Sequence, residues 1–406
     1  MRVAIALLLL TAFLLALAMC ASAAGAPGLS EMDRLGLLWK AYHYEQAMQA
    51  RHLRDGGLVI GGVRYPQPKG WAYEEDENSA YLTGMYLAAT SFRYAVTRDP
   101  AALAQAKRSA RALDTLQAVT GQPYLARWYR PYAADAQHDD GWLKGAWRRS
   151  GDREWLGNTS TDQYTGAMFG YSVYYALAAD REERARVAKA VGALVGRVLE
   201  GGMRIRDEQD KPTSWSDMSP ESMQEPMYAL VGLHLLKVAY QVTGERRFED
   251  KYRELCTKHK YLELAVKRDN DWSWNYSDDV MSFEAFYTTI SQEKDPAIKQ
   301  ALRHALDVNW KNVHRHGRDL FGVFQEAWNP GDGAGALALQ QLVDFPADKI
   351  EVSGHERTST PTPLRERQPG WVEFMNRTRY RVQGTEQSGV DYLLAYWMAR
   401  YHRIVK

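Results

Sequence analysis

Acidic and polar clusters recur beside aromatic residues along this 406-residue chain. Asp76-Glu77-Asn78-Ser79 runs into Tyr81, and Ser160-Thr161-Asp162-Gln163 runs into Tyr164. Ser216-Asp217 through Glu221 follows Trp215, while Trp272, Trp274 and Tyr276 precede Ser277-Asp278-Asp279. Gly331-Asp332 and Glu386-Gln387-Ser388 are weaker members of the series. Carboxyl groups and aromatic faces together suit sugar chemistry. Hydrolysis of a glycosidic bond uses two carboxyls placed across the bond, one protonated and one ionised, and aromatic rings stack on the apolar faces of pyranose rings. Asp162 is the first candidate catalytic carboxylate because it heads a helix beside Tyr164. Asp278 or Asp279 is its candidate partner, with Asp76 or Glu77 next.

Trp147, Trp215, Trp272, Trp274 and Trp328 are candidate stacking residues, with Tyr164 as a further substrate contact. Tyr164 or His316 would serve as the base of a polysaccharide lyase. Arg148, with Arg149, would pair with the carboxylate of a uronate, or form a solvated charge pair. A purely structural role stands beside each acid. Ser160 and Gln163 have the spacing of a capping box, and Asp162 fits the first helical turn. Asp278 and Asp279 fit the same description. An acid there stabilises a helix by a few tenths to about 1 kcal/mol with no chemistry at all. The recurrence of acids with adjacent aromatics favours a site. His314-x-His316, near Asp319 and Glu326, matches no zinc spacing, so no metal and no cofactor is expected. There is no nucleotide-binding glycine motif and no Gly-x-Ser-x-Gly elbow.

The elements that must position these residues are helical. Tyr81, Leu82, Met85, Tyr86, Ala89 and Phe92 share one helix face, as do Tyr164, Met168, Tyr171 and Tyr175, and Leu230, Leu233, Leu236 and Tyr240. A more charged helix follows several of them after a short turn. Asp99-Pro100 and Asp295-Pro296 each supply an N-cap and a proline at the first helical position. Asp180 to Glu183 and Gly244 to Arg247 open two more. The pattern is an αα-hairpin, repeated.

Aromatic helices starting near 78, 160, 220, 277, 331 and 388 give six units and predict an all-α (α/α)6 toroid: inner aromatic helices inside a ring of charged ones. The inner helices would run parallel, so that their N-termini, with their partial positive charges and their acids, meet at one end. The helix near Glu31 to Arg54 would close the outer layer beside the last inner helix, Val390 to Tyr401. The stretch from Phe345 to Gln387 shows no clear outer helix, which keeps an open helical array as an alternative. Gly57 to Tyr65 reads as a small β-hairpin.

Charge is balanced, with 51 basic and 50 acidic side chains. That gives no field favouring nucleic acid or an anionic membrane, and a carbohydrate is the expected partner. Arg2, the apolar run Val3 to Ala18 and the small residues Cys20-Ala21-Ser22-Ala23-Ala24 read as an export signal over 1–24. The run is short and lacks a basic stop signal, so no membrane span is expected once it is removed. Residues 25–406 would form a single domain, secreted or periplasmic. Leu17-Ala18-Met19-Cys20 fits a lipobox poorly because of Met19. With Cys20 removed, Cys256 has no partner for a disulfide, and the fold must rest on its core.

Four stretches carry a family resemblance: Phe92 to Pro100, Ser160 to Gly166, Asn275 to Asp279, and Asp391 to Tyr401. With the hairpin alternation, they resemble the six-hairpin glycosidase superfamily, which includes unsaturated glucuronyl hydrolases and N-acylglucosamine 2-epimerases. They also resemble a set of exported bacterial proteins with no assigned chemistry. The resemblance implies an (α/α)6 toroid with a sugar-sized cleft, and architecture alone does not fix function. The expected activity is a glycoside hydrolase acting on an oligosaccharide, with uronate content open. A polysaccharide lyase and a non-catalytic glycan-binding or envelope protein are the alternatives.

Overall fold

The computed structural model describes residues 29–54, 56–67, 70–73, 77–134, 143, 145–222, 226–266, 276–314, 320–345, 347, 349 and 385–406. The expected export signal and Cys20 lie outside these residues. In chain order the elements are α1 (Glu31–Ala47), whose end widens into a π-turn over Met48–His52, then β1 (Leu53–Arg54), β2 (Leu58–Val59), β3 (Gly62–Gln67) and β4 (Gly70–Tyr73). Next come α2 (Ser79–Thr97), α3 (Pro100–Ala118), β5 (Trp128–Pro131), β6 (Trp147–Ser150), β7 (Arg153–Leu156), α4 (Thr161–Leu177) and α5 (Arg181–Glu200). The chain continues through β8 (Arg204–Arg206), β9 (Pro212–Asp217), α6 (Pro226–Thr243), α7 (Arg246–Thr257), the short α8 (Tyr261–Val266) and α9 (Tyr276–Gln292). It ends with α10 (Pro296–Val313), α11 (Leu320–Trp328), α12 (Ala334–Asp344), β10 (Thr385–Gln387) and α13 (Val390–Tyr401).

Local sequence sets many of these boundaries. Asp99 accepts a hydrogen bond from the Ala101 amide, and Asp295 accepts from Ala297 and Ile298, each just ahead of a first-position proline. Asp180 caps α5 through the Glu183 amide. Ser30 and Asp33 form a capping box at α1. Helix α2 is buried on every side from Ser79 to Phe92, which its small and aromatic residues permit. Helix α7 buries only Phe248, Tyr252, Leu255 and Cys256, one stripe of an otherwise charged surface.

Helices α2, α4, α6, α9, α11 and α13 touch in that cyclic order, and α13 returns to α2. Outside them, α3 packs on α2, α5 and α7 on α6, α10 on α9, and α12 on α11, while α1 closes the outer layer against α12 and α13. The six-hairpin toroid read from the sequence is the architecture of the chain. Its seam is closed by Lys40 of α1, whose Nζ donates to the carbonyls of Leu342, Val343 and Phe345 at 2.7, 2.7 and 2.8 Å. These are the orphan carbonyls where α12 ends. Burial lowers the Lys40 ammonium to about 8.

The inner helices are parallel. Helices α2 and α4 meet backbone to backbone. A Cβ on Gly84 would stand 2.0 Å from the Gly166 carbonyl oxygen, and one on Gly170 would stand 2.4 Å from that of Gly84. The His234 ring of α6 bridges the Thr165 carbonyl of α4 and the Thr288 hydroxyl of α9. Two turns further on, Gln292 donates to Ser172 at 2.9 Å and to Gln241 at 2.7 Å. Toward the helix C-termini the ring is filled by aromatic packing. Tyr287 touches Phe92, Phe169, Phe324, Trp328 and His402, with ring centroids 5.6–6.0 Å apart.

The connections that enter the inner helices carry small antiparallel sheets: β1-β2, β10-β3-β4, β5-β7-β6 and β8-β9. The expected strand near Gly57 to Tyr65 is there, but divided: β2 pairs with β1, while β3 pairs with β4 and β10. One helix assignment is corrected. The fifth inner helix is α11, starting at Leu320, and Gly331-Asp332 instead forms the turn into the outer helix α12. Asp332 accepts from Ala334 and from Gln325, the local bonding of a helix start, and an outer helix has the same need as an inner one.

Replacing Gly84 with Ala should cost about 3 kcal/mol or more, read as a lower denaturation midpoint in urea, because neither backbone can yield to the added methyl. Acid should destabilise the ring through His52 and His234, both wholly buried and both lowered by desolvation to about 4. Unfolded, each takes up a proton near pH 6.5, so the penalty is absent above that pH and grows as pH falls toward 4. Each buried neutral imidazole should add about 1.4 kcal/mol per pH unit to the slope, and His234→Gln should make the pH dependence shallower by that amount in melts at pH 7, 6 and 5.

Candidate functional site

The starts of α2 and α4 are locked together by side chains that had looked like helix caps. Ser160 holds the N-cap position of α4 but makes no capping bond. Its hydroxyl donates to Asp162 Oδ1 and accepts from the Arg127 guanidinium. Gln163 does not reach back to its own helix end. Its Oε1 accepts from the Tyr81 amide at 3.2 Å, and its Nε2 donates to Asn78 Oδ1 and Asp162 Oδ2, each at 3.2 Å. The capping box expected here is therefore absent. Both side chains serve contacts between helices, because the Gly84–Gly166 approach brings a second backbone within reach.

Arg127 organises this corner. It is 1% exposed, and it donates from Nε to the Asn158 carbonyl at 2.8 Å and from Nη1 to the Glu77 carbonyl at 3.3 Å. Its own carbonyl accepts from the Ala80 amide at 3.0 Å. One guanidinium thus ties the start of α2, the loop before α4 and, through Ser160, the half-buried Asp162. Sequence reading passed over Arg127, which stands in an aromatic stretch with no acid spaced to suggest a partner.

Glu284 of α9 was missed as well. Thr288 is level with Thr165 through His234, so Glu284, one turn nearer the helix start, is level with Thr161 and Asp162. It faces Tyr81 across the ring. Both are wholly buried, and no hydrogen bond of ordinary geometry reaches either Glu284 oxygen or the Tyr81 hydroxyl. Burial pushes the Glu284 carboxyl well above the usual carboxylate range. Burial, and after it the charges of Glu284 and Asp162, pushes the Tyr81 hydroxyl up.

The remaining candidates divide. Asp279 is buried just over one turn nearer the start of the same helix, and Glu77 is buried beside Asn78. Trp147 packs edge-on against Trp128 at 5.6 Å, with Arg130 above both rings. Trp215 is 58% exposed and holds a left-handed backbone, φ +51°, a conformation that costs an aromatic residue about 1–3 kcal/mol. Its strand is stapled to the loop before α4. Ser214 N donates to Asn158 Oδ1 at 2.9 Å, and the Thr213 hydroxyl donates to the Thr159 carbonyl at 2.6 Å.

Three expectations are corrected. Tyr164 turns away from the ring toward the loop after α3, where its hydroxyl accepts from the Leu125 amide at 3.4 Å, so it offers no face to a sugar at the start of α4. Trp328 belongs to the aromatic packing at the C-terminal end of the ring, away from Asp162. Arg148 is held by Glu208 at 2.5 Å and by the Gly145 carbonyl at 2.6 Å. Glu386 and Asp391, at the start of α13, are likewise taken by Arg51 and Lys349. Asp76, Trp272, Trp274, His316 and the Asp278 side chain lie outside the described residues. Among the described residues no three His, Cys, Asp or Glu side chains gather as a metal site, and no helix is long and apolar enough to cross a membrane.

The sequence matches no known family model and no curated protein. The structure is similar to a cellobiose 2-epimerase from Spirochaeta thermophila, at 12% identity and a TM-score of 0.50 over 93% of this chain and 98% of that one. It is also similar to an unsaturated glucuronyl hydrolase specific for heparin, at 13% identity and a TM-score of 0.49 over 92% and 97% of the two chains. A sugar epimerase from a ruminal bacterium matches at 11% identity and a TM-score of 0.46 over 76% and 85%. At these identities the likeness is one of fold: the (α/α)6 toroid of the six-hairpin glycosidases.

Arg127→Met should separate the starts of α2 and α4. It leaves the Glu77 and Asn158 carbonyls without their donor in a buried setting, at a cost of about 3 kcal/mol or more in urea denaturation. A variant as stable as the wild type would show that Arg127 does not hold the corner.

Proposed function

We propose that this protein is a carbohydrate-processing enzyme, specifically a glycoside hydrolase acting on an oligosaccharide, with Asp162 as its ionised carboxylate. One observation carries the reading: at the junction of α2 and α4, both Asp162 oxygens accept hydrogen bonds from side chains that would otherwise cap the helix. A half-buried carboxylate held in this way can polarise water or a sugar hydroxyl. The exposed, strained Trp215 adds a face for stacking. The cellobiose 2-epimerase that shares the fold acts, by its name, on a sugar.

Arg148 lends no support to a uronate in the substrate, since Glu208 already holds it. The bond of the Tyr164 hydroxyl to the Leu125 amide, away from Asp162, counts against one of the two bases a lyase would use. The leader from Arg2 to Ala24 supports action outside the cytoplasm, in the periplasm or beyond the cell.

The test is hydrolysis of a panel of neutral and uronate-containing oligosaccharides and their aryl glycosides. Asp162→Asn should fold as the wild type does and lose about 100-fold or more in kcat. Full turnover by that variant would rule Asp162 out, and sugar binding without turnover by the wild type would make the protein a glycan-binding one.

A further inference from the structure

We propose that Glu284 is the acid partner of Asp162, the carboxyl that delivers a proton to the oxygen leaving the sugar. The assignment rests on the glycoside hydrolase reading and adds its second carboxyl. Four other buried carboxyls have partners. Glu45 accepts from Tyr86 at 2.8 Å, Glu183 accepts from Tyr174 at 2.7 Å, and Asp391 and Glu293 each lie 3.0 Å from a lysine Nζ. Glu284 differs from these: neither oxygen makes a hydrogen bond of ordinary geometry, although the Tyr81 hydroxyl lies close to it. A buried carboxyl left in this state opposes folding, and an apolar side chain of similar size would serve packing better.

Its position gives it a use. Glu284 lies in the same layer of the ring as Asp162, on a helix that touches α4, and it stands across the ring from Tyr81 of α2. Two carboxyls in unlike surroundings, one enclosed and one half-buried among hydrogen-bond donors, divide the acid and base roles of glycoside hydrolysis. In the proposed step the Glu284 O–H bond breaks as its proton passes to the glycosidic oxygen, and the bond from that oxygen to the anomeric carbon breaks. A water oxygen bonds to the same carbon, and Asp162 takes the water's proton. Proton exchange with solvent then restores both groups, so the net change is addition of one water across the glycosidic bond.

The experiment compares the wild type with Glu284→Gln, Glu284→Leu and Asp162→Asn on oligosaccharides and on 2,4-dinitrophenyl glycosides of the same sugar, whose leaving group needs no acid. Thermal melts accompany the assays. Both Glu284 variants should lose about 100-fold or more on the oligosaccharide while keeping most of their turnover of the dinitrophenyl glycoside. Asp162→Asn should lose both activities. Glu284→Leu should melt about 2 °C or more above the wild type. Oligosaccharide turnover at the wild-type rate by either Glu284 variant overturns the assignment and leaves the hydrolase reading standing. Equal losses on both substrates, or a lower melting temperature for the leucine variant, show a structural carboxyl and also overturn it. A wild type that hydrolyses nothing in the panel removes the reading and this assignment together.

Discussion

Between Gly84 and Gly166 the backbones of α2 and α4 approach more closely than any pair of Cβ atoms would allow. That contact fixes where two helix starts lie. Two inner helices at ordinary spacing would keep their first turns apart, each satisfied by its own caps. At glycine spacing, Gln163 of one helix reaches the Tyr81 amide and Asn78 of the other. Arg127 then spans both starts from a single buried position. The polar corner around Asp162 is a consequence of that backbone contact.

The ring is chemically divided along its axis. Near the helix starts it carries Asp162, Glu284, Tyr81 and Arg127, at the positive ends of the inner-helix dipoles. At the helix ends, Tyr287 packs with five rings, and the polar groups Ser172, Gln241 and Gln292 bond to one another. Between these levels His234 ties α4, α6 and α9 without a charge, since burial keeps its imidazole neutral. The proposed site lies at one end of the ring, and aromatic packing fills the other.

Much of the architecture was legible because its signals are local. Asp99-Pro100 and Asp295-Pro296 start helices through a side chain and an imino acid that act within two residues. The inner helices were recognised by apolar and aromatic residues recurring at the spacing of one helix face. The fifth was misplaced because Gly331-Asp332 meets the demands of any helix start, inner or outer. The place of Asp162 at a helix start was legible, and the place of Glu284 across the ring from Tyr81 was not. An acid at a helix start announces itself by its neighbours, whereas Glu284 stands among Phe283, Ala285 and Phe286 and gains meaning only from what lies across the ring.

The sequence alone determined the repeated hairpins, their caps and the association of acids with aromatic residues, because these depend on contacts between residues a few positions apart. Tertiary structure decided how each candidate is used. Ser160 and Gln163 have side chains able to cap α4, and the nearness of Tyr81 and Arg127 turns them to other partners. Tyr164 and Trp328 are aromatic residues of the kind that stack on sugars, yet neighbouring helices enclose the first and ring packing occupies the second. A hydrogen-bonding group or an aromatic face has several good partners available to it, and only the folded chain settles which of them is within reach.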